Sequence, residues 1–106
     1  MSYAGETTGS GPVTTPTVVS STPYTVLAAD EILLVTVAPA IINLLAIADH
    51  TTKSLVVKDA TGNATLQPIT INADAGETVD GNATRNLTSN YQSYQLVGNG
   101  TEWSIV

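Results

Sequence analysis

The chain has 106 residues, and only 11% are charged: nine acidic and three basic side chains give a net charge of −6. So few lysines and arginines cannot neutralise many phosphates, which argues against binding to nucleic acid or to an anionic membrane. The sequence contains no cysteine, so disulfide bonds and thiolate metal sites are excluded.

The composition favours an all-β protein. Threonine and valine are abundant and phenylalanine is absent. The β-branched side chains of threonine and valine suit pleated, half-buried surfaces. The most apolar stretch, residues 32–48, is interrupted by Thr36, Pro39 and Asn43 and is too short for a membrane span. Because the N-terminus also lacks the regions of a secretory signal, we expect a soluble protein made in the cytoplasm.

Residues 1–23 form a segment of their own, dominated by threonine, serine, glycine and proline. Alone, such a segment is extended and flexible. It is either a flexible terminus that touches a neighbour or an N-terminal arm that docks on a partner, and we favour the docking arm. Its expected contact residues are Tyr3, Pro12, Val13, Val18 and Val19.

From residue 24 to residue 106 the sequence predicts one β-rich domain. The predicted strands cover residues 24–27, 32–37, 41–48, 55–58, 69–71, 91–97 and 102–106. The stretch 41–48 would also suit one or two helical turns, but a proline before it and a polar turn after it favour a strand.

Glycine, asparagine and aspartate separate the later runs, at residues 60–63, 73–76, 80–82 and 98–100. Short β-type runs divided in this way are typical of consecutive antiparallel strands. We therefore expect a small antiparallel β-sandwich or barrel-like domain.

Alternation along the runs predicts which side chains form the core or an oligomer contact. These are Leu55, Val57, Ile69, Ile71, Tyr94, Leu96, Trp103 and Ile105. Some strands carry apolar residues on both faces, for example Val56 and Val97. A thin core with exposed strand edges is often completed by self-association, so we expect a homo-oligomer.

The sequence offers no reaction centre. His50 is the single histidine and lies in a polar turn, so we expect a solvated loop residue. Asp74, Glu77 and Asp80 also lie in turns and do not match the spacing of a calcium-binding loop. No nucleophile motif is present. We predict no catalytic residue, no metal, no cofactor and no enzymatic activity.

Five blocks, in this order and spacing, resemble a module of tailed-bacteriophage virion proteins, found in head fibres, decoration proteins and tail-fibre segments. The blocks are KDATGNA (58–64), PITI (68–71), GETVDG (76–81), NYQSYQLV (90–97) and GTEW (100–103). The resemblance covers residues 24–106. It implies a homotrimer without enzymatic activity.

The combined expectation is a capsid decoration protein or head fibre whose arm attaches to the major capsid protein. The alternative is a tail-fibre or baseplate module that binds host surface glycan. In that case Tyr91, Tyr94 and Trp103 would be an exposed aromatic platform. The competing interpretation makes Tyr94 and Trp103 core anchors.

Overall fold

The computed structural model describes residues 15–106, which contain ten β-strands, one short 3₁₀ helix (Ile47–Asp49) and no α-helix. The strands are β1 (Thr17–Val19), β2 (Tyr24–Thr25), β3 (Ile32–Val35), β4 (Ala40–Asn43), β5 (Ser54–Asp59), β6 (Ile69–Asn72), β7 (Thr78–Val79), β8 (Thr84–Leu87), β9 (Ser93–Asn99) and β10 (Glu102–Ile105). The prediction of an all-β fold is confirmed.

The strands form two sheets, a six-stranded sheet in the order β1-β3-β5-β9-β10-β7 and a four-stranded sheet in the order β2-β4-β6-β8. Both are mixed, so the prediction of a purely antiparallel fold is wrong. Neighbours within β1-β3-β5 and within β2-β4-β6 are parallel, as are β7 and β10. The pairs β5-β9, β9-β10 and β6-β8 are antiparallel.

Neighbouring strands among β1 to β6 are parallel because successive strands alternate between the two sheets. Parallel neighbours need a connection that carries the chain back to the same end. Here the connection between β1 and β3 passes through β2 in the opposite sheet, and the same alternation continues to β6. The first six strands therefore stack as three successive coils, each of which contributes one strand to each sheet.

In each of the three coils a proline stands at the corner where the chain enters the four-stranded sheet. We call this the proline corner. Pro23, Pro39 and Pro68 stand directly before β2, β4 and β6. Proline is tolerated at a strand start, where its missing N–H is not needed by the ladder. The register places Ala40 opposite Ile69, so Pro39 and Pro68 are neighbours across adjacent coils.

The core lies between the two sheets and consists of the inward-facing side chains of both. Its buried members are Val19, Val26, Leu33, Val35, Ala40, Ile42, Leu44, Ile47, Leu55, Val57, Ala64, Ile69, Ile71, Val79, Leu87, Leu96 and Trp103. The edge strands β7 and β8 of the two sheets are linked by Arg85 on β8. Its side chain donates hydrogen bonds to the backbone oxygens of Val79 and Asp80 at the end of β7.

The stretch 41–48 differs from its prediction as a single strand. Strand β4 ends at Asn43, and the chain enters the 3₁₀ helix at Ile47. Both carboxylate oxygens of Glu77 accept from the Ile47 N–H, at 3.1 and 3.2 Å. A carboxylate distant in sequence thus satisfies a donor at the start of this helix, which the local pattern did not reveal.

Candidate functional surfaces

Part of the segment expected to be a docking arm belongs to the fold. Strand β1 pairs with β3, with Thr17 opposite Leu33 and Val19 opposite Val35. Val19 is buried in the core, so the prediction that it contacts a partner is wrong. Val18 points the other way and is 61% exposed. Tyr3, Pro12 and Val13 lie outside the described residues.

The residues expected to form the core or an oligomer contact are placed together in the interior. Six of them are fully buried, namely Leu55, Val57, Ile69, Ile71, Leu96 and Trp103. Tyr94 and Ile105 are half-buried and pack against that core. These side chains hold the two sheets together inside one chain.

Asp59 is a buried carboxylate that organises the turn after β5. Its oxygens accept from the Thr61 N–H and hydroxyl at 2.8 and 2.6 Å, and from the N–H groups of Ala64 and Tyr91 at 3.2 and 3.0 Å. Burial opposes the charged form, but these hydrogen bonds outweigh it and lower the pKa of Asp59 to about 2. The carboxylate is committed to its own backbone.

Asp30 plays a comparable part at the first coil. It accepts hydrogen bonds from the Thr17 hydroxyl at 3.1 Å, the Tyr24 hydroxyl at 2.6 Å and the Leu27 N–H at 2.8 Å. Partial burial, followed by the hydrogen bond to Asp30 and the charge of that group, raises the pKa of Tyr24 to about 12. Asp30 therefore ties β1 and β2 to the start of β3.

His50 is a core residue, which corrects its prediction as a solvated loop histidine. It is almost fully buried, and its ring meets the edge of Trp103 with centroids 5.8 Å apart. Its Nδ1 accepts a hydrogen bond from the Lys53 N–H at 3.1 Å. The turn that looked polar in sequence folds back over the indole.

Two further acids, one in a turn and one on β10, also accept hydrogen bonds from their own chain. Asp80 accepts from the Ile105 N–H at 3.1 Å, and Glu102 accepts from the Thr78 hydroxyl and the Gly81 N–H. Within residues 15–106 no three acids or histidines are grouped so as to hold a metal ion. Nowhere in that range is there a helix with the length and apolarity needed to cross a bilayer.

The outer surface of the six-stranded sheet carries a group of apolar side chains among polar ones. We call it the apolar face, and its members are Val18, Ile32, Leu34, Val56, Val97 and Val106. They alternate with the buried core positions, so they point away from the second sheet. Val97 is 40% exposed, and Val18 and Val106 are more exposed still.

The outer surface of the four-stranded sheet is polar by contrast. Asn43, Asn72 and Thr84 lie side by side on β4, β6 and β8 and are joined by side-chain hydrogen bonds of 3.2 and 2.9 Å. Beside this row, at the proline corner, is an open groove of about 370 Å³. Its lining residues are Thr22, Pro39, Ala40, Ile41, Pro68 and Thr70.

A third exposed feature is the tip formed by the turn after β5 and the chain before β9. Leu66 and Tyr91 are 82% and 62% exposed there. The Tyr91 ring lies so close to Gly62 that a Cβ at that position would be 2.5 Å from the ring. Lys58 donates to the Tyr91 carbonyl at 2.6 Å and stands over its ring.

The structure does not bring the three candidate platform aromatics together on the surface. Trp103 is buried, and Tyr94 packs on the core while its hydroxyl donates to the Asn86 carbonyl at 3.0 Å. Tyr91 alone is exposed. A glycan platform built from all three rings is therefore wrong for this fold.

No family model matches the chain, and no curated protein matches it significantly. The interpretation of function therefore depends on the geometry above and on the resemblance of the sequence blocks. Reasoning from sequence had noted Val56 and Val97 as apolar residues opposite core positions, but it missed Val18, Ile32 and Leu34 as parts of the same face. The signal that joins them is the parallel register of β1, β3 and β5.

Proposed function

We propose that this protein is a non-enzymatic structural component of a tailed-phage virion, a decoration protein or head fibre on the capsid exterior. It self-associates, with a homotrimer as the proposed form, and attaches to the major capsid protein through the residues before β1. The resemblance of the five sequence blocks carries this proposal. Its non-enzymatic part is supported by the buried carboxylates, Asp30 and Asp59, which are committed to their own chain.

Catalytic acids and bases work only where they can reach a substrate and exchange a proton with it. Asp59 is surrounded by four donors from its own turn and from Tyr91, which leaves it no free position. Its lowered pKa keeps it ionised and hydrogen-bonded rather than reactive. An arrangement of this kind stabilises a fold, which is what a display protein requires.

The start of the described chain supports attachment at that end. Strand β1 is an edge strand of the six-stranded sheet, so the residues before Thr15 join the fold at the sheet border. A polar, threonine-rich segment can add backbone hydrogen bonds along a strand edge of a partner. Several such segments on one oligomer would raise the avidity for a repetitive capsid surface.

Deletion of residues 1–14 tests the attachment. It removes Tyr3, Pro12 and Val13 but keeps β1 and the buried Val19. We expect the shortened protein to remain folded and to lose its binding to capsids assembled without this protein, measured as copies retained after sedimentation of the particles. Full occupancy by the shortened protein would contradict attachment through this segment.

A further inference from the structure

We propose that the apolar face is the surface through which copies of this chain associate with one another. This inference deepens the proposed function, because it names the contact that would build the displayed oligomer. The face is a contiguous patch rather than scattered residues: Val18 lies beside Leu34 and Ile32 beside Val56 in the parallel register. Large exposed apolar patches on soluble proteins mark interaction sites.

The charge distribution identifies a second copy as the occupant. The chain carries nine acids against three bases, so two copies repel each other unless they meet where carboxylates are absent. The outward positions of β1, β3, β5 and β9 include no acidic residue. Glu102 is an outward residue of the adjacent strand β10, opposite Asn99, and its carboxylate accepts hydrogen bonds from Thr78 and Gly81 of its own chain.

The cation on this face is already engaged. Lys58 Nζ donates to the Tyr91 carbonyl at 2.6 Å and lies 5.6 Å from the centre of the Tyr91 ring. The face therefore offers a partner little charge to recognise, whereas a neutral apolar surface is compatible with an identical copy of itself. Gln95 lies opposite Val56 and Ser54 lies opposite Val97, so polar side chains stand among the apolar ones, as they do in most interfaces.

The size of the face sets the expected strength. Five strands about 4.8 Å apart and about five residues long give roughly 400 Å² of sheet per copy, or about 800 Å² for two copies, which is below the size of standard interfaces and in the range of weak, transient ones. Association in the micromolar range is therefore expected for isolated protein, and additional contacts on a capsid would strengthen it by avidity.

The test compares two matched substitutions of an exposed apolar side chain by glutamate. Val97→Glu places a carboxylate on the apolar face, and Ile41→Glu places one on the outer surface of the other sheet, where the original side chain is similarly exposed, 43% against 40%. Self-association of the full chain is followed by sedimentation velocity and light scattering over a wide concentration range.

We expect Val97→Glu to weaken self-association at least about tenfold, because the new carboxylates would be desolvated against one another. Ile41→Glu should leave it unchanged, and both variants should keep the melting temperature of the parent. If Val97→Glu alters folding, Val18→Glu at the exposed border of the face makes the same comparison.

Three outcomes would overturn the proposal. One is a parent chain that stays monomeric at every concentration, and another is an Ile41→Glu variant that dissociates while Val97→Glu does not. The third is a gain of self-association on deletion of residues 1–14, which would assign the face to the chain's own N-terminal segment. Capsid occupancy is measured separately, so a failure of the attachment proposal is distinguishable from a failure of this one.

Discussion

At the scale of single residues, the buried polar groups define what the chain can do. Asp59 gathers four donors from the turn after β5 and from Tyr91, and so fixes that turn against β9. These hydrogen bonds exist only in the folded state and favour the ionised carboxylate. The pKa of Asp59 is therefore lower in the folded protein than in the unfolded chain.

The lowered pKa of Asp59 has a definite consequence for stability. The folded value of about 2 lies below the ordinary value of 3.8, so its contribution is present above about pH 4 and is lost as the pH falls towards 2. That difference corresponds to about 2 kcal/mol of unfolding free energy. We expect the Asp59→Asn variant to lack this pH-dependent contribution to the free energy of unfolding, as measured by urea unfolding at pH 5 and pH 2.

The parent and Asp59→Asn should therefore differ most at pH 5 and converge towards pH 2. At pH 5 the asparagine variant is expected to be less stable by about 1–3 kcal/mol, since one amide group would face N–H donors. An unchanged difference between the two proteins at both pH values would mean that the Asp59 carboxylate does not support the turn through its charge.

His50 shows where residue-level reasoning from sequence reaches its limit. A histidine among Asp49, Thr51 and Thr52 has the neighbours of a solvated loop residue. Its burial depends on Trp103, which is far along the chain and arrives on β10. No local pattern contains that contact, because it is created by the pairing of β9 with β10 and by the packing of the two sheets.

At the scale of the element, alternation separates a core position from a surface position within one strand. Ile42 and Ile41 are adjacent on β4, and the first is buried while the second is 43% exposed. We expect Ile42→Ala to lower the free energy of unfolding by about 2–5 kcal/mol through lost burial and a cavity. Ile41→Ala should change it by less than about 0.5 kcal/mol, as measured by chemical denaturation.

Equal effects of the two alanine variants would contradict the assigned register of β4 between β2 and β6. The comparison is informative because the backbone, the residue type and the substitution are the same in both. The only difference is the face of the sheet to which the side chain points, since a shift of one residue would exchange the two positions.

Strand positions were largely accessible from sequence, whereas strand pairing was not. The alternation of β5 and the turn residues around β6, β9 and β10 predicted those strands. Strands β7 and β8 were missed because two or four residues, such as TV and TRNL, carry little periodic signal. Strand β1 was missed because its serine-, threonine- and proline-rich surroundings are typical of an extended segment.

A signal for the parallel pairing does exist in the sequence. Residues 39–43 read PAIIN and residues 68–72 read PITIN, and these are the stretches that include β4 and β6. The repeated proline, buried isoleucine and asparagine occupy matching register positions. Two segments with the same pattern favour side-by-side stacking of successive coils, as in repeat architectures, rather than a hairpin.

At the scale of the whole molecule, the two lateral sides of the stack differ. One side is bridged by Arg85 between β8 and the end of β7. The other side is bordered by the short edge strands β1 and β2. The described chain begins on this side, at Thr15. Asp30 holds this first coil in place through Thr17 and Tyr24. The stability of the first coil thus decides how firmly an attached segment would be anchored.

Two truncations separate the segment from the coil. Removal of residues 1–14 should leave the free energy of unfolding nearly unchanged, because the ladder with β3 begins at Thr17. Removal of residues 1–23 also takes away β1, the buried Val19 and the Thr17 hydrogen bond to Asp30. Loss of one buried valine alone costs about 1.5–3 kcal/mol, so the longer deletion should unfold at clearly lower denaturant concentration.

The longer deletion should also change the solution behaviour of the protein. It turns β3 into an edge strand, with an unpaired backbone and with Leu34 deprived of Val18 beside it. Exposed apolar edges promote irregular aggregation, which light scattering would detect as a broad rise in mass rather than a discrete oligomer. If residues 1–23 can instead be removed without loss of stability, β1 is not an integral strand, and the whole segment up to Pro23 would be free to serve as the attachment arm.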